Sequence, residues 1–185
     1  LLAPATPMEK ALPRGPVFRP LPETIAIEAA RNEKEAAQLI VMPLGKERKK
    51  VGVRLTAFPS TADTLSSYEL SDAPFGFDET TVVPSSGTEY VGFWPDPLLA
   101  FLDTVDVGAD EAQPFWIKAD IPAGQPAGDY SGKAEITIGG KTAFSVPVSV
   151  RVRDFALPNR PMLPLAVTFW PNDGLMPKCN PEFDP

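Results

Sequence analysis

Between residues 113 and 158 the chain alternates apolar and polar side chains in three successive runs. Phe115, Ile117, Ala119 and Ile121 alternate with Trp116, Lys118 and Asp120. Ala134, Ile136 and Ile138 then alternate with Lys133, Glu135 and Thr137. Finally Phe144, Val146, Val148, Val150 and Val152 point one way, and Ser145, Pro147, Ser149, Arg151 and Arg153 the other. Neighbouring side chains of a strand face opposite sides of its sheet, so each run has a core face and an outer face. A slip of one residue in the third run would move five core side chains into water, which pins its register. Gly139-Gly140 between the second and third runs is a hairpin signature, because both central residues of a type I′ turn need positive φ. The expected unit is three antiparallel strands with one buried and one wet face. Tyr130 sits where a tyrosine-corner hydrogen bond to nearby backbone would tie down its turn.

Proline extends this pattern to the whole chain. There are 23 prolines in 185 residues, roughly one in eight against an average near 5%. Proline breaks helices and central strands, so the spacing favours short strands joined by stiff loops. Residues 1–22 carry six prolines and little pattern, and read as an extended arm. Strands are expected near residues 24–30, 36–43, 51–57, 68–70, 81–83 and 89–94. Residues 72–80, with Pro74, Gly76 and two phenylalanines, read as a loop. The segment AIEAARNEKEAAQLI also suits a helix by propensity, leaving helix or two strands open there. The count comes to eight or nine short strands at sandwich-like spacing, an all-β, immunoglobulin-like antiparallel sandwich.

Composition excludes much chemistry. With no histidine, the chain cannot build a Ser-His-Asp or Cys-His site or a histidine-ligated zinc. A single cysteine, Cys179, forms neither an intrachain disulfide nor a cysteine metal cluster. The net charge of −7 makes a poor nucleic-acid binder, and the one basic run, residues 46–50 (KERKK), reads as a solvated turn. No apolar run is long enough to span a membrane as a helix. No cofactor or metal is expected. The acidic loop 102–112, with Asp103, Asp106, Asp110 and Glu111, matches no EF-hand spacing and reads as a solvated loop.

Two places merit attention as binding positions. Trp94-Pro95-Asp96-Pro97 holds one carboxylate between two prolines, so Asp96 is stiffly presented beside Trp94, for a cap or a ligand. Trp116 falls on the outer face of its strand, where it can pack locally, meet another domain or stack on a sugar. After residue 158 a new apolar run, residues 162–170, ends in the turn string Pro171-Asn172-Asp173-Gly174. It reads as the opening strand of a further domain.

Four strings together resemble a known family: ARNEKEAAQLIV at 30–41, WPDPLL at 94–99, QPFWIKADIPAGQPAGDYSGKAEI at 113–136 and VRVRDFALP at 150–158. In this order they resemble the N-terminal β-sandwich of glycoside hydrolase family 123 and of related bacterial glycosidase-like proteins. The resemblance favours strands over a helix around Arg31, Asn32 and Glu33. It implies an accessory role beside a following (β/α) barrel. In the founding members that barrel resembles β-N-acetylgalactosaminidases, which use the substrate's own acetamido group as nucleophile, oriented by an Asp-Glu pair. No catalytic residue carries over to this chain.

The implied organisation is an arm at 1–22, a sandwich at 23–158, and a linker with the start of the next domain at 159–185. In a barrel, Trp170, Asn172 and Asp173 would lie at the C-terminal end of the first strand, where such enzymes bind substrate. Trp94 and Asp96 are further substrate-contact candidates, and Trp116 and Phe155 are candidates for the interdomain interface. The expected partner is the following catalytic domain, with glycan as a further one, and the expected location is periplasmic or secreted. The competing reading is a free-standing module that binds glycan or protein.

Overall fold

The computed structural model describes residues 1–14, 23–56, 69–80 and 91–160, with backbone alone for 69–80 and for 96–97. The described residues form an all-β, immunoglobulin-like sandwich of two five-stranded sheets. In chain order the strands are β1 (Leu2–Ala5), β2 (Ile25–Arg31), β3 (Glu33–Val41), β4 (Lys49–Thr56) and β5 (Glu69–Thr80). They continue with β6 (Gly92–Leu98), β7 (Val105–Val107), β8 (Gln113–Ile121), β9 (Gly128–Ile138) and β10 (Lys141–Ala156). One sheet runs β1-β3-β8-β5-β6 and the other β2-β10-β9-β4-β7.

The core lies between the sheets and follows the alternation. Phe115, Ile117, Ala119 and Ile121 of β8 are all 1% exposed or less. They face Val146, Val148, Val150 and Val152 of β10, Ala134 and Ile136 of β9, and Val51 and Val53 of β4. Burying one such aliphatic side chain contributes about 1.5–3 kcal/mol. Phe144 departs from the expected row and is 53% exposed. A bulge between Thr142 and Phe144 interrupts the register at that end of β10, beyond the filled part of the core.

Gly139 and Gly140 take φ of 59° and 80°, the expected positive pair, and Lys141 returns opposite Ile138. The Tyr130 hydroxyl donates to the Pro126 carbonyl at 2.9 Å, four residues upstream, closing the expected corner.

The three runs do not share one sheet. β9 and β10 pair with each other, but β8 pairs with β3 and β5 in the opposite sheet. The Pro-Gly-rich connection after Ile121 therefore crosses the sandwich. Alternation reports which side of a strand is buried and not which strand lies beside it, so this correction is one of pairing only. The sandwich is also not wholly antiparallel, since β2 runs parallel to β10, with Ile25, Ile27 and Ala29 opposite Val148, Val150 and Val152. The described residues hold ten strands, more than eight or nine. β1 and β7 are short edge pieces at the ends of the two sheets, and residues 72–80 are part of β5 and not a loop.

The arm residues 1–14 are woven into the domain. β1 pairs with β3 from Leu2 opposite Val41 to Ala5 opposite Gln38. Ala3 and Ala11 then bury against Ile40 and Ala112 as a small second core on the outer side of β3. This explains the unbroken apolar string Leu39-Ile40-Val41, whose side chains are buried on both faces. The outer face of the other sheet is wet. It carries the cross-strand pairs Arg153–Glu28, Arg151–Asp129 at 3.8 Å and Arg54–Glu135 at 3.9 Å, exposed and each worth about 0–1 kcal/mol. The basic run 46–50 is a solvated turn only as far as Arg48 and then enters β4, where Lys49 hydrogen-bonds Glu47, holding that carboxyl below its usual pKa.

Candidate functional site

The most built feature outside the core joins two of the four family-like strings. β2 ends in one sheet at Arg31 and β3 begins in the other at Glu33, so Asn32 alone turns the corner. Its φ is 61°, a left-handed conformation that asparagine tolerates better than other L-residues because its short amide bonds locally. The Glu33 carboxylate accepts the Ala30 N–H at 2.6 Å and closes the turn from inside.

The exit from β10 is fastened to this corner. The Asn32 amide donates to the Leu157 carbonyl and to Asn159 Oδ1, each at 2.9 Å. The Leu157 N–H donates to the Arg31 carbonyl at 2.8 Å, and Arg31 pairs with Asp154 at 3.3 Å. Four links thus bind residues 154–159 to a corner about 125 positions earlier. The direction in which the chain leaves the sandwich is set there. Phe155 is 55% exposed and Leu157 37% exposed beside this clamp.

Trp116 lies on the outer face, as expected, and is half-buried. It sits across from Gln38 on β3. Gln38 is fully buried, its amide donating to the carbonyls of Thr6 at 2.6 Å and Glu9 at 2.9 Å. The arm is held over Trp116 in this way. Trp116, Gln38, Pro95 and Leu98, with Pro7, Glu9 and Lys10 of the arm, line a cavity of about 230 Å³. Trp94 is half-buried on β6 and does not line it. Pro95 and Asp96 belong to β6, an edge strand that carries a bulge between its pairings to Phe75 and Phe77. Prolines on an edge strand and a bulge both discourage further strand pairing. The Asp96 side chain, and Trp170, Asn172 and Asp173, lie outside the described residues.

Within the acidic loop, Glu111 is engaged by cations. It meets Arg14 at 3.1 Å and Arg48 at 3.6 Å, and accepts the Gly108 N–H at 3.0 Å. Among the described residues no group of three or more potential metal ligands comes together. Sequence reasoning marked the R-N-E string and the exit string separately but not their contact. The arginine partners of Glu111 were also missed, since nothing in local spacing connects Arg14, Arg48 and Glu111.

The model of the glycoside hydrolase 123 N-terminal domain matches residues 16–138 of this chain. The chain belongs to that family. The domain as folded reaches beyond the matched stretch at both ends, because β1 and β10 lie outside it. A family 123 glycoside hydrolase from Clostridium perfringens, described for its hydrolysis of glycolipid glycans, shares the fold with a TM-score of 0.61 at 14% identity. The superposition covers 76% of this chain and 24% of that enzyme, so the chain spans about a quarter of the length of that enzyme. The N-terminal domain of PorA matches at a TM-score of 0.43 and 12% identity, over 84% of this chain and all of that one. A non-cellulosomal cohesin from Archaeoglobus fulgidus matches at 0.36 and 11%, over 71% and 88% of the two chains. No curated protein matches.

Proposed function

We propose that this chain is the non-catalytic sandwich of a glycoside hydrolase, holding a catalytic (β/α) barrel that follows it. The observation that carries this reading is the clamp at the exit. In this domain an αL asparagine, its two side-chain hydrogen bonds and an ion pair fix how the chain leaves. That arrangement makes physical sense where another domain must be oriented. Phe155 and Leu157, exposed beside the clamp, are then the first apolar contacts offered to that domain, and Trp116 a more distant one. Trp170, Asn172 and Asp173 belong on this reading to the barrel's sugar site, and Trp94 and Asp96 to the sandwich wall facing it.

The parent enzyme is proposed to act on N-acetylhexosaminides by substrate assistance, in a periplasmic or secreted setting, with its Asp-Glu pair outside this chain. The test is direct. The pure 185-residue chain should give no turnover of nitrophenyl N-acetylhexosaminides, while a protein that continues into the following domain should. Turnover by the 185-residue chain alone, or a reading frame that closes without a further domain, would overturn the proposal.

A further inference from the structure

A second concavity stands apart from the exit and from Trp116. It is lined by residues of both β6 and β7, the edge strands of the two sheets. Its volume is about 360 Å³, within the usual range for small-ligand sites. One wall is apolar, with Phe93, 50% exposed, and Leu99. The polar lining is Arg48, Asp106, Glu111 and Gln113, with Val105, Val107 and Ala112 between them in sequence.

The charges narrow the ligand. The lining holds Arg48 against Asp106 and Glu111, and Arg14, outside the lining, pairs with Glu111, so two arginines stand against two carboxylates in and beside the cleft. A balanced site gives no net attraction to a phosphate or to a metal ion. It offers planar donors and acceptors, which suit vicinal hydroxyls, in the same lining as an exposed aromatic ring, which suits the apolar face of a pyranose. Glu111 is also held in place, since its carboxylate accepts the Gly108 N–H at 3.0 Å. The polar wall is therefore preorganised and does not have to be ordered by the ligand.

We infer that the cleft between β6 and β7 binds one neutral pyranose unit of a glycan, with Phe93 as the stacking platform and Arg48, Asp106 and Glu111 as the hydroxyl contacts. This goes beyond the supporting role and does not depend on it: turnover assays test that role, and ligand titration tests this cleft.

The experiment is a titration of the ¹⁵N-labelled 185-residue chain followed by NMR, using N-acetylgalactosamine, N-acetylglucosamine, galactose and, separately, sulfate. The expected result is saturable shifts confined to the amides of Phe93 and residues 105–113, with a dissociation constant of about 1–10 mM for at least one sugar. Phe93→Ala should weaken that binding about 3- to 10-fold, the value of one aromatic contact. Phe93 is exposed enough for the variant to keep the wild-type spectrum elsewhere. Shifts that never saturate, shifts centred on Trp116, an unchanged affinity in Phe93→Ala, or sulfate binding in preference to every sugar would each overturn the inference.

Discussion

Replacing Asn32 tests whether the corner holds the exit. In Asn32→Ala two effects add. The alanine must hold φ near 61°, where an ordinary L-residue is strained by about 1–2 kcal/mol. It also loses both amide donations, to Leu157 O and Asn159 Oδ1. Hydrogen bonds of a half-exposed side chain contribute about 0.5 kcal/mol each, at the low end of the usual range because water replaces them readily. The sum is about 2–3 kcal/mol. Asn32→Gly loses the same donations but has no strain, so its cost should be about 1 kcal/mol.

Two readouts separate the local effect from the global one. Hydrogen exchange at the Leu157 amide, which donates to Arg31 O, reports release of the exit and should quicken about 10- to 100-fold in Asn32→Ala. Urea unfolding reports the corner as part of the sandwich, and its midpoint should fall by about 1 M at a slope near 2 kcal/mol per M. Equal cost in the glycine and alanine variants would refute the strain argument. Unchanged exchange at Leu157 in both variants would refute the clamp itself.

Further outcomes follow from the packing. Ile117→Ala, at a fully buried site on the central strand of its sheet, should lower stability by about 2–5 kcal/mol in urea melts with an unchanged slope. Removing residues 1–12 takes away β1 and the cover over Trp116. The emission of Trp116 should then shift to the red, and stability should drop by about 2–4 kcal/mol through lost pairing and burial around Ile40. Gly139→Ala should cost about 1–2 kcal/mol by thermal unfolding, because the turn there requires a φ of 59°, whereas Gly139→Asn should cost less than half of that.

Much of this sandwich was readable because strand burial is a local property. Each core position of β8 and the valines of β10 declare themselves by period 2, and the double glycine declares the hairpin. The Tyr130 bond spans only four residues, so it too was within reach of local reading. What could not be read was pairing. Whether β8 lies beside β9 or across from it leaves the same alternation, and the choice falls to how the two sheets close over a shared core. The parallel pairing of β2 with β10 joins residues more than 120 positions apart.

The arm was opaque for a related reason. Proline-rich residues 1–14 have no pattern of their own, and they become ordered only because β3 offers an open edge and the Gln38 amide. Of the candidate sites, Trp116 on an outer face was legible by counting, while the arm that half covers it was not. The Arg31–Asn32 corner and the exit at Asp154–Leu157 were each visible as strings, since turn-forming and motif residues show in sequence. Their contact was decided only in the folded chain. The corner where β2 passes to β3 and the end of β10 come together because β2 and β10 are neighbours in one sheet. The sequence alone thus determined an all-β chain with a known set of core faces. The tertiary structure decided which strands are neighbours, and with that, where the chain leaves the domain and where a ligand has room.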